Sequence, residues 1–459
     1  MADGAASPPQ TSRQRSWDGD DVGFGEGICL EAFASPGVAF PSMPGSRGKP
    51  SKKRFAALVL KRLKAAGAPT DYVFDPEAFQ IRGGSTRGFL GNTYEAYCRA
   101  RGARRNAILD NLVAVLLPED DEEMSFDEAR DKLVAAVRER EYFALASLQE
   151  RLGGEKEPMT LLHEPISEWF ARTLVVDFPN HMRIVDRDAG LGWDQTTGEL
   201  FALGLERLKD RAGPRFADEG GVFRGLWNDE YDSSRILVPG IFDALPLKGD
   251  PVVALPNRLT LLAAGSDDPA AIKRMLAMAE RIVRTKLKPQ NPAPLIIRGG
   301  QIGDFDVPPG SPIFNDVQRA RKLAALFAYE AQQKALERLY RKDGKDLSVA
   351  SHGLGQLEDG SYSSWAVWTR DVPTLLPAAD TVVFVDLELL KHNRVVARVP
   401  WERVLASLSD SMLDTKMFPP RWYVSRFPSE EQIRTMLHRR VTAPRIKAAA
   451  KATSRRAHT

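Results

Sequence analysis

The sequence predicts an α+β fold with mixed, largely antiparallel sheets and packed helices, and three observations carry that expectation. Runs that read as strands are interspersed with helical runs without strict βαβ alternation, which argues against a doubly wound parallel sheet. Apolar residues make up 43% and charged residues 27% of the 459-residue chain, the balance of a globular protein able to bury a core without metal or disulfide support. No internal repeat occurs at solenoid or propeller periods. The length suggests two or three units.

Residues 1–50 are rich in Ser, Pro, Gly and Ala without a sustained apolar period, so a disordered leader is expected there. A first helix follows, with Phe55, Leu58, Val59 and Leu63 at helical spacing and Gly67 and Pro69 to stop it. Short strands are predicted around Tyr72–Phe74 and Phe79–Ile81. Further helices are predicted through Leu90, Tyr94, Tyr97 and Cys98 and through Ile108, Leu112 and Leu116. Glu119–Glu123 reads as a charged loop. Ser125-Phe126-Asp127-Glu128 reads as a capping box opening a helix to about Arg138.

Strands are then predicted at Thr173–Asp177 and Met182–Asp186. A second capping box, Thr196-Thr197-Gly198-Glu199, precedes a helix carrying Leu200, Phe201, Leu205 and Leu208. Strands at Val222–Trp227, Val252–Leu255 and Leu259–Ala263 lead to a helix over about 269–286. After the Pro-rich stretch Lys288–Pro294 come a long helix, about Asn315–Arg341, and five strands between Leu347 and Arg426. The expected organisation is a leader (1–50), a helical part (51–158), a central α+β domain (159–287), a C-terminal α+β extension (288–438) and a basic flexible tail (439–459).

The two cysteines, Cys29 and Cys98, exclude a disulfide framework and point to a reducing compartment. There is no secretory signal pattern and no apolar run long enough to span a bilayer. Cytoplasmic location and no membrane partner are therefore expected. After Glu431 no acid occurs, and eight cations follow. Without them the remainder carries −5.

A phosphate-cradling loop needs glycines and a Lys-Ser/Thr step between strand and helix. Gly45-Ser46-Arg47-Gly48-Lys49 has the wrong spacing, and Gly23, Gly25 and Gly27 follow no strand. The six histidines include no close pair, so no metal site is read. There is no G-x-S-x-G elbow, and Cys98 falls on an apolar stripe as a buried core residue. No motif requires a cofactor. Trp365 and Trp368 face opposite sides of a strand and, with Trp401 and Trp422, read as core.

The best polar candidate is Asn228-Asp229-Glu230-Tyr231-Asp232-Ser233-Ser234-Arg235, which follows a strand and could open a helix with free N–H groups for an anion. Arg235, Asp250, Asn257 and Arg258 would form a ligand site if the flanking strands are neighbours. A capped turn with Arg235 in a structural ion pair is the favoured account.

Thr173–Asp177, Arg183-Ile184-Val185-Asp186, Trp193 with its helix, Tyr231-Asp232-Ser233-Ser234-Arg235-Ile236-Leu237 and Val253-Ala254-Leu255-Pro256-Asn257-Arg258-Leu259 together resemble the YtpQ-like family of uncharacterised bacterial proteins. The resemblance covers about 52–285 and is clearest over 165–285. It implies an α+β fold and a bacterial source but carries over no activity, cofactor or catalytic residue. In relatives an acidic residue can follow the Pro turn, where this chain has Leu259.

The leading functional expectation is a non-enzymatic binding or regulatory module acting through an unidentified protein partner. One alternative is an enzyme acting on an anionic ligand near Arg235, Asp250 and Arg258. Another is nucleic-acid association through the tail cations Arg439, Arg440, Arg445, Lys447, Lys451, Arg455 and Arg456, by counterion release without base stacking.

Overall fold

The computed structural model describes residues 49–438 apart from 69–71, 77–78, 84–85, 118–123, 155–159, 179–181, 188–191, 286–288 and 391–394. Residues 1–48 of the leader expected over 1–50, the charged loop 119–123 and the tail 439–459 lie outside the described residues.

The first unit comprises α1 (Lys52–Ala65), β1 (Val73–Asp75), β2 (Gln80–Gly83), β3 (Thr86–Phe89), α2 (Gly91–Arg99) and α3 (Ala103–Leu116). Ser51 caps α1 by accepting a hydrogen bond from the Arg54 amide at 3.2 Å. Phe55, Ala56, Val59 and Leu63 lie on one face of α1 and pack with Ile81, Leu90, Leu109, Leu112, Val113 and Leu116, so this core is drawn from the unit's own residues. Cys98 is half-buried rather than a core residue, which corrects the expectation that the apolar stripe would enclose it.

The Ser125–Glu128 capping box forms, but the helix it opens, α4 (Phe126–Arg130), is one turn long. The chain then extends into β4 (Leu133–Glu139), which corrects the helix expected to reach Arg138. Leu133 to Val137 is a continuous apolar run, and such a run satisfies either a buried helix or a strand buried on both faces. Pairing decides, because β4 lies antiparallel along β6 (Phe170–Asp177) from Leu133↔Val176 to Glu139↔Phe170. Between them lie α5 (Arg140–Gly153), a helix the sequence did not disclose, and β5 (His163–Pro165), with β7 (Met182–Ile184) following. Both β5 and β7 also pair with β6, and α6 (Thr197–Asp210) packs across β4 behind its own capping box.

A second sheet has the order β13-β12-β10-β11-β9-β8, all antiparallel: β8 (Phe216–Asp218), β9 (Phe223–Gly225), β10 (Pro251–Asn257), β11 (Thr260–Gly265), β12 (Pro289–Arg298) and β13 (Gln301–Asp304). Pro289–Pro294 of the Pro-rich stretch thus lie in a strand that the sequence reading did not predict. Pro289 stands at its first position, and Pro292 and Pro294 fall where the β10–β12 register shifts, between the pairs Val253↔Leu295 and Leu255↔Asn291. Prolines lack the ladder N–H and are tolerated at strand starts and irregularities. Pairing therefore crosses both interior boundaries expected from sequence, β4–β6 spanning 158/159 and β10–β12 spanning 287/288.

Both faces of β10 are buried. Val252 and Ala254 meet Ile272, Met275 and Leu276 of α7 (Pro269–Thr285), while Val253 and Leu255 meet Trp227, Ile236, Ile241 and Phe242. Each large apolar side chain so enclosed contributes about 1.5–3 kcal/mol.

The 29-residue α8 (Phe314–Lys342) runs from this sheet into a C-terminal part. There β14 (Ser348–Val349), β17 (Thr374–Pro377), β20 (Leu413–Asp414) and β21 (Arg421–Val424) form one sheet. A second sheet contains β15 (His352–Gln356), β16 (Tyr362–Thr369), β18 (Thr381–Val385) and β19 (Ala397–Pro400). Short helices α9 (Leu387–Leu390), α10 (Trp401–Leu408) and α11 (Glu430–His438) complete the described part of the chain. Among the described strand pairings only β14–β17 and β16–β18 are parallel, which makes this an α+β protein dominated by antiparallel sheet. Trp368 is buried, Trp365 covers Gly353, and Trp401 and Trp422 meet edge-to-face at 4.9 Å.

Candidate anion centre at the seam between the central sheets

The free edge of β4 determines where polar groups gather. An exposed strand edge must be paired or covered. Here Val137 is covered by side chains: its N–H donates to Ser234 Oγ at 3.0 Å, and its carbonyl accepts from Gln290 Nε2 at 3.2 Å and Arg138 Nη1 at 2.8 Å. The 3-10 turn Ser233–Leu237 is thereby wedged between β4 and the β10–β11 turn, where the Ser233 N–H donates to the Arg258 carbonyl at 3.2 Å.

The loop before that turn is organised from within. The Asp232 carboxylate accepts from the backbone N–H groups of Asn228 and Asp229 at 3.1 and 3.2 Å, an arrangement that accommodates positive φ at Asn228 and Glu230. Burial raises the Asp232 pKa. Arg235, fully buried, gives two nitrogens to Asp229 and two to the Arg211 carbonyl, and its guanidinium lies 4.6 Å from the Trp227 ring centre. Burial works to raise the Asp229 pKa, but hydrogen bonds and charge from Arg235 hold it below the usual carboxylate value. Arg235 is thus committed to the loop rather than turned toward a ligand.

The other sequence-derived candidates separate. Asn257 and Arg258 sit at the β10–β11 turn beside Ser233, and Asn257 is buried. Asp250 precedes the first residue of β10, at the opposite end of that strand, and pairs with Arg298 at 3.1 Å. The structure brings Arg138 of β4 and Tyr142 of α5 near Arg258, places Glu139 beside Arg138, and sets Gln290 of β12 against the Val137 carbonyl, none of which the sequence singled out.

Arg138 is buried, and no carboxylate of the described residues lies within ion-pair distance of it or of Arg258. Burial, reinforced by the nearby Arg258 cation and opposed by Glu139, lowers its pKa to about 10, so it stays charged at neutral pH. Arg258 lies with its guanidinium 5.4 Å from the Tyr142 ring centre. Burial, with the neighbouring Glu139, pushes the Glu141 carboxyl well above its ordinary value. On β4 and the segments packed along it, Arg138 Nε, Glu139 Oε2, Ser233 Oγ and Gln290 Oε1 have no hydrogen-bond partner among the described residues, nor does Glu141 Oε2 two residues beyond the strand. Buried polar groups are normally satisfied, so such a cluster in one seam marks a site with bonding capacity in reserve. Two guanidinium groups and a hydroxyl are donors suited to a carboxylate or phosphoryl group.

Among the described residues no group of three or more potential ligands is arranged to hold a metal ion, and no helix is long and apolar enough to cross a membrane. These features define an antiparallel α+β protein with a polar seam between two central sheets. No protein-family model, curated protein or solved structure matches the chain.

Proposed function

We propose that this chain is a binding module for a small anionic ligand, held between Arg138 and Arg258 at the seam of the central sheets. The observation that carries the reading is the buried Arg138 cation, without a carboxylate at ion-pair distance, within electrostatic reach of a second arginine. Two like charges in a poorly solvated place repel, and a bound anion would offset that repulsion while engaging the unpartnered donors. The reading keeps the non-enzymatic expectation and replaces the Arg235/Asp250 centre with one built on Arg258. Kinship with YtpQ-like proteins and a cytoplasmic, bacterial setting belong to the same proposal, supported by the sequence motifs alone.

Thermal unfolding at constant ionic strength, with a panel of carboxylates and phosphate esters against chloride, tests it. A ligand at one hundred times its Kd would stabilise the native protein by about 2.7 kcal/mol. One anion class is expected to raise the Tm of the natural protein and not that of Arg258→Gln. Equal responses of the two proteins, or no response to any anion, would remove the basis for the reading.

A further inference from the structure

We propose that the exposed face of α1 binds the phosphate backbone of double-stranded nucleic acid, without sequence preference. Residues 49–117 hold thirteen Lys and Arg against five Asp and Glu, whereas 118–438 hold forty-one against fifty. The charge asymmetry between these two parts is thus far larger than the overall +3 suggests.

Within the basic unit, α1 contains six cations and no acid. At about 100° per residue, Lys53, Arg54, Lys61 and Lys64 fall within an arc of roughly 100°, opposite the buried Phe55, Ala56, Val59 and Leu63. All four cations are exposed, and none is ion-paired to a described carboxylate. Among the described residues the one ion pair on the helix uses Arg62, which turns toward Asp110 of α3.

This arrangement is poor for helix stability. Lys52, Lys53 and Arg54 sit in the first turn, where the positive end of the helix dipole makes each cation unfavourable. A cationic face maintained against that cost fits a polyanionic partner. Lys53 to Lys64 spans about 16 Å, a length that faces about five phosphates of one strand. The face carries no aromatic side chain for base stacking, since Phe55, Tyr94, Tyr97 and Phe79 pack on one another inside the unit. It also lacks a large exposed apolar residue of the kind that inserts into lipid, Leu60 being half-buried. Duplex backbone is the partner these features favour, and the α1 face is independent of the arginine seam.

Fluorescence anisotropy of a labelled 25-base-pair duplex with the full chain tests the proposal. Four phosphate contacts would contribute about −3.6 to the slope of log K against log salt, about a hundredfold loss of affinity between 50 and 200 mM. The variant Lys53→Gln/Arg54→Gln/Lys61→Gln/Lys64→Gln should lose that slope without a fall in Tm, with or without residues 439–459. The charge-matched variant Lys273→Gln/Arg281→Gln/Lys334→Gln/Arg338→Gln should bind as the natural chain does. The proposal is overturned if the α1 variant binds like the natural protein, or if both variants weaken equally. It is also overturned if removing 439–459 alone abolishes binding, or if the chain binds phosphatidylserine vesicles but not the duplex.

Discussion

Arg235 and Asp229 form a two-point ion pair in which the guanidinium is buried and the carboxylate reaches it at 2.7 and 2.5 Å. Removing one partner of such a pair leaves a buried charge without compensation, at about 3–5 kcal/mol. Asp229 is itself partly exposed, and Arg235 would keep the Arg211 carbonyl, so Asp229→Asn should fall near the lower limit. Urea midpoints measure it. The double variant Asp229→Asn/Arg235→Met should regain part of the loss, and a neutral Asp229→Asn would contradict the structural role.

Glu141 gives a stability that depends on pH with a defined sign. Its native pKa lies above the ordinary value of 4.5, so between those two values the native state holds a proton that the unfolded chain has released. Its contribution is complete below pH 4.5 and is lost as pH rises through the raised native value. Glu141→Gln should therefore be more stable than the natural protein near neutral pH and lose that part of the slope. Parallel pH profiles for the two proteins would contradict it.

His352 acts in the opposite direction. It stacks on Tyr329 at 4.7 Å, its Nδ1 meets the Ala378 carbonyl at 2.9 Å, and its Nε2 has no partner. Burial lowers its pKa to about 4, with Arg421 and Lys322 reinforcing and Asp380 opposing. From pH 6.5 down to 4 the unfolded chain takes up a proton that the native imidazole refuses, so stability falls, by roughly 3 kcal/mol at most. His352→Phe should flatten this acid limb in denaturant titrations, and an unchanged limb would assign the pH dependence elsewhere.

Gly204 tests packing against propensity. In the interior of a helix, Ala is better than Gly by about 1 kcal/mol. A Cβ at Gly204, however, would stand 2.5 Å from Leu174 Cδ2 and 2.9 Å from the Ala135 backbone nitrogen, where α6 meets β4 and β6. Gly204→Ala should thus destabilise, by about 1–3 kcal/mol, because backbone cannot retreat as a side-chain tip can. A higher Tm would show that α6 shifts freely.

Much of the fold was legible because local signals agreed with the tertiary outcome. Both capping boxes formed, the long helix was found to within a residue at each end, and the strands around Val253 and Leu262 followed from apolar runs between turns. Two misreadings had a shared consequence. Leu133–Val137 is equally apolar on every side, and Pro289–Pro294 looks like a strand breaker. The strands that contain those two segments supply Arg138 and Gln290, so these members of the candidate centre were hidden with them. Arg235, by contrast, stood out in sequence because the loop that holds it is dense in polar residues.

The shared helix α8 has a consequence for how the molecule melts. Its first half, at Val317, Ala320 and Ala324, is enclosed with the central sheet, and its second half, at Leu336, with the C-terminal strands Val349 and Leu375. Neither half of 126–438 can lose its core without stripping one end of the same rod, so calorimetry should record one endotherm for that region. Residues 52–117 contribute no side chain to those cores and should give a separate heat-absorption peak.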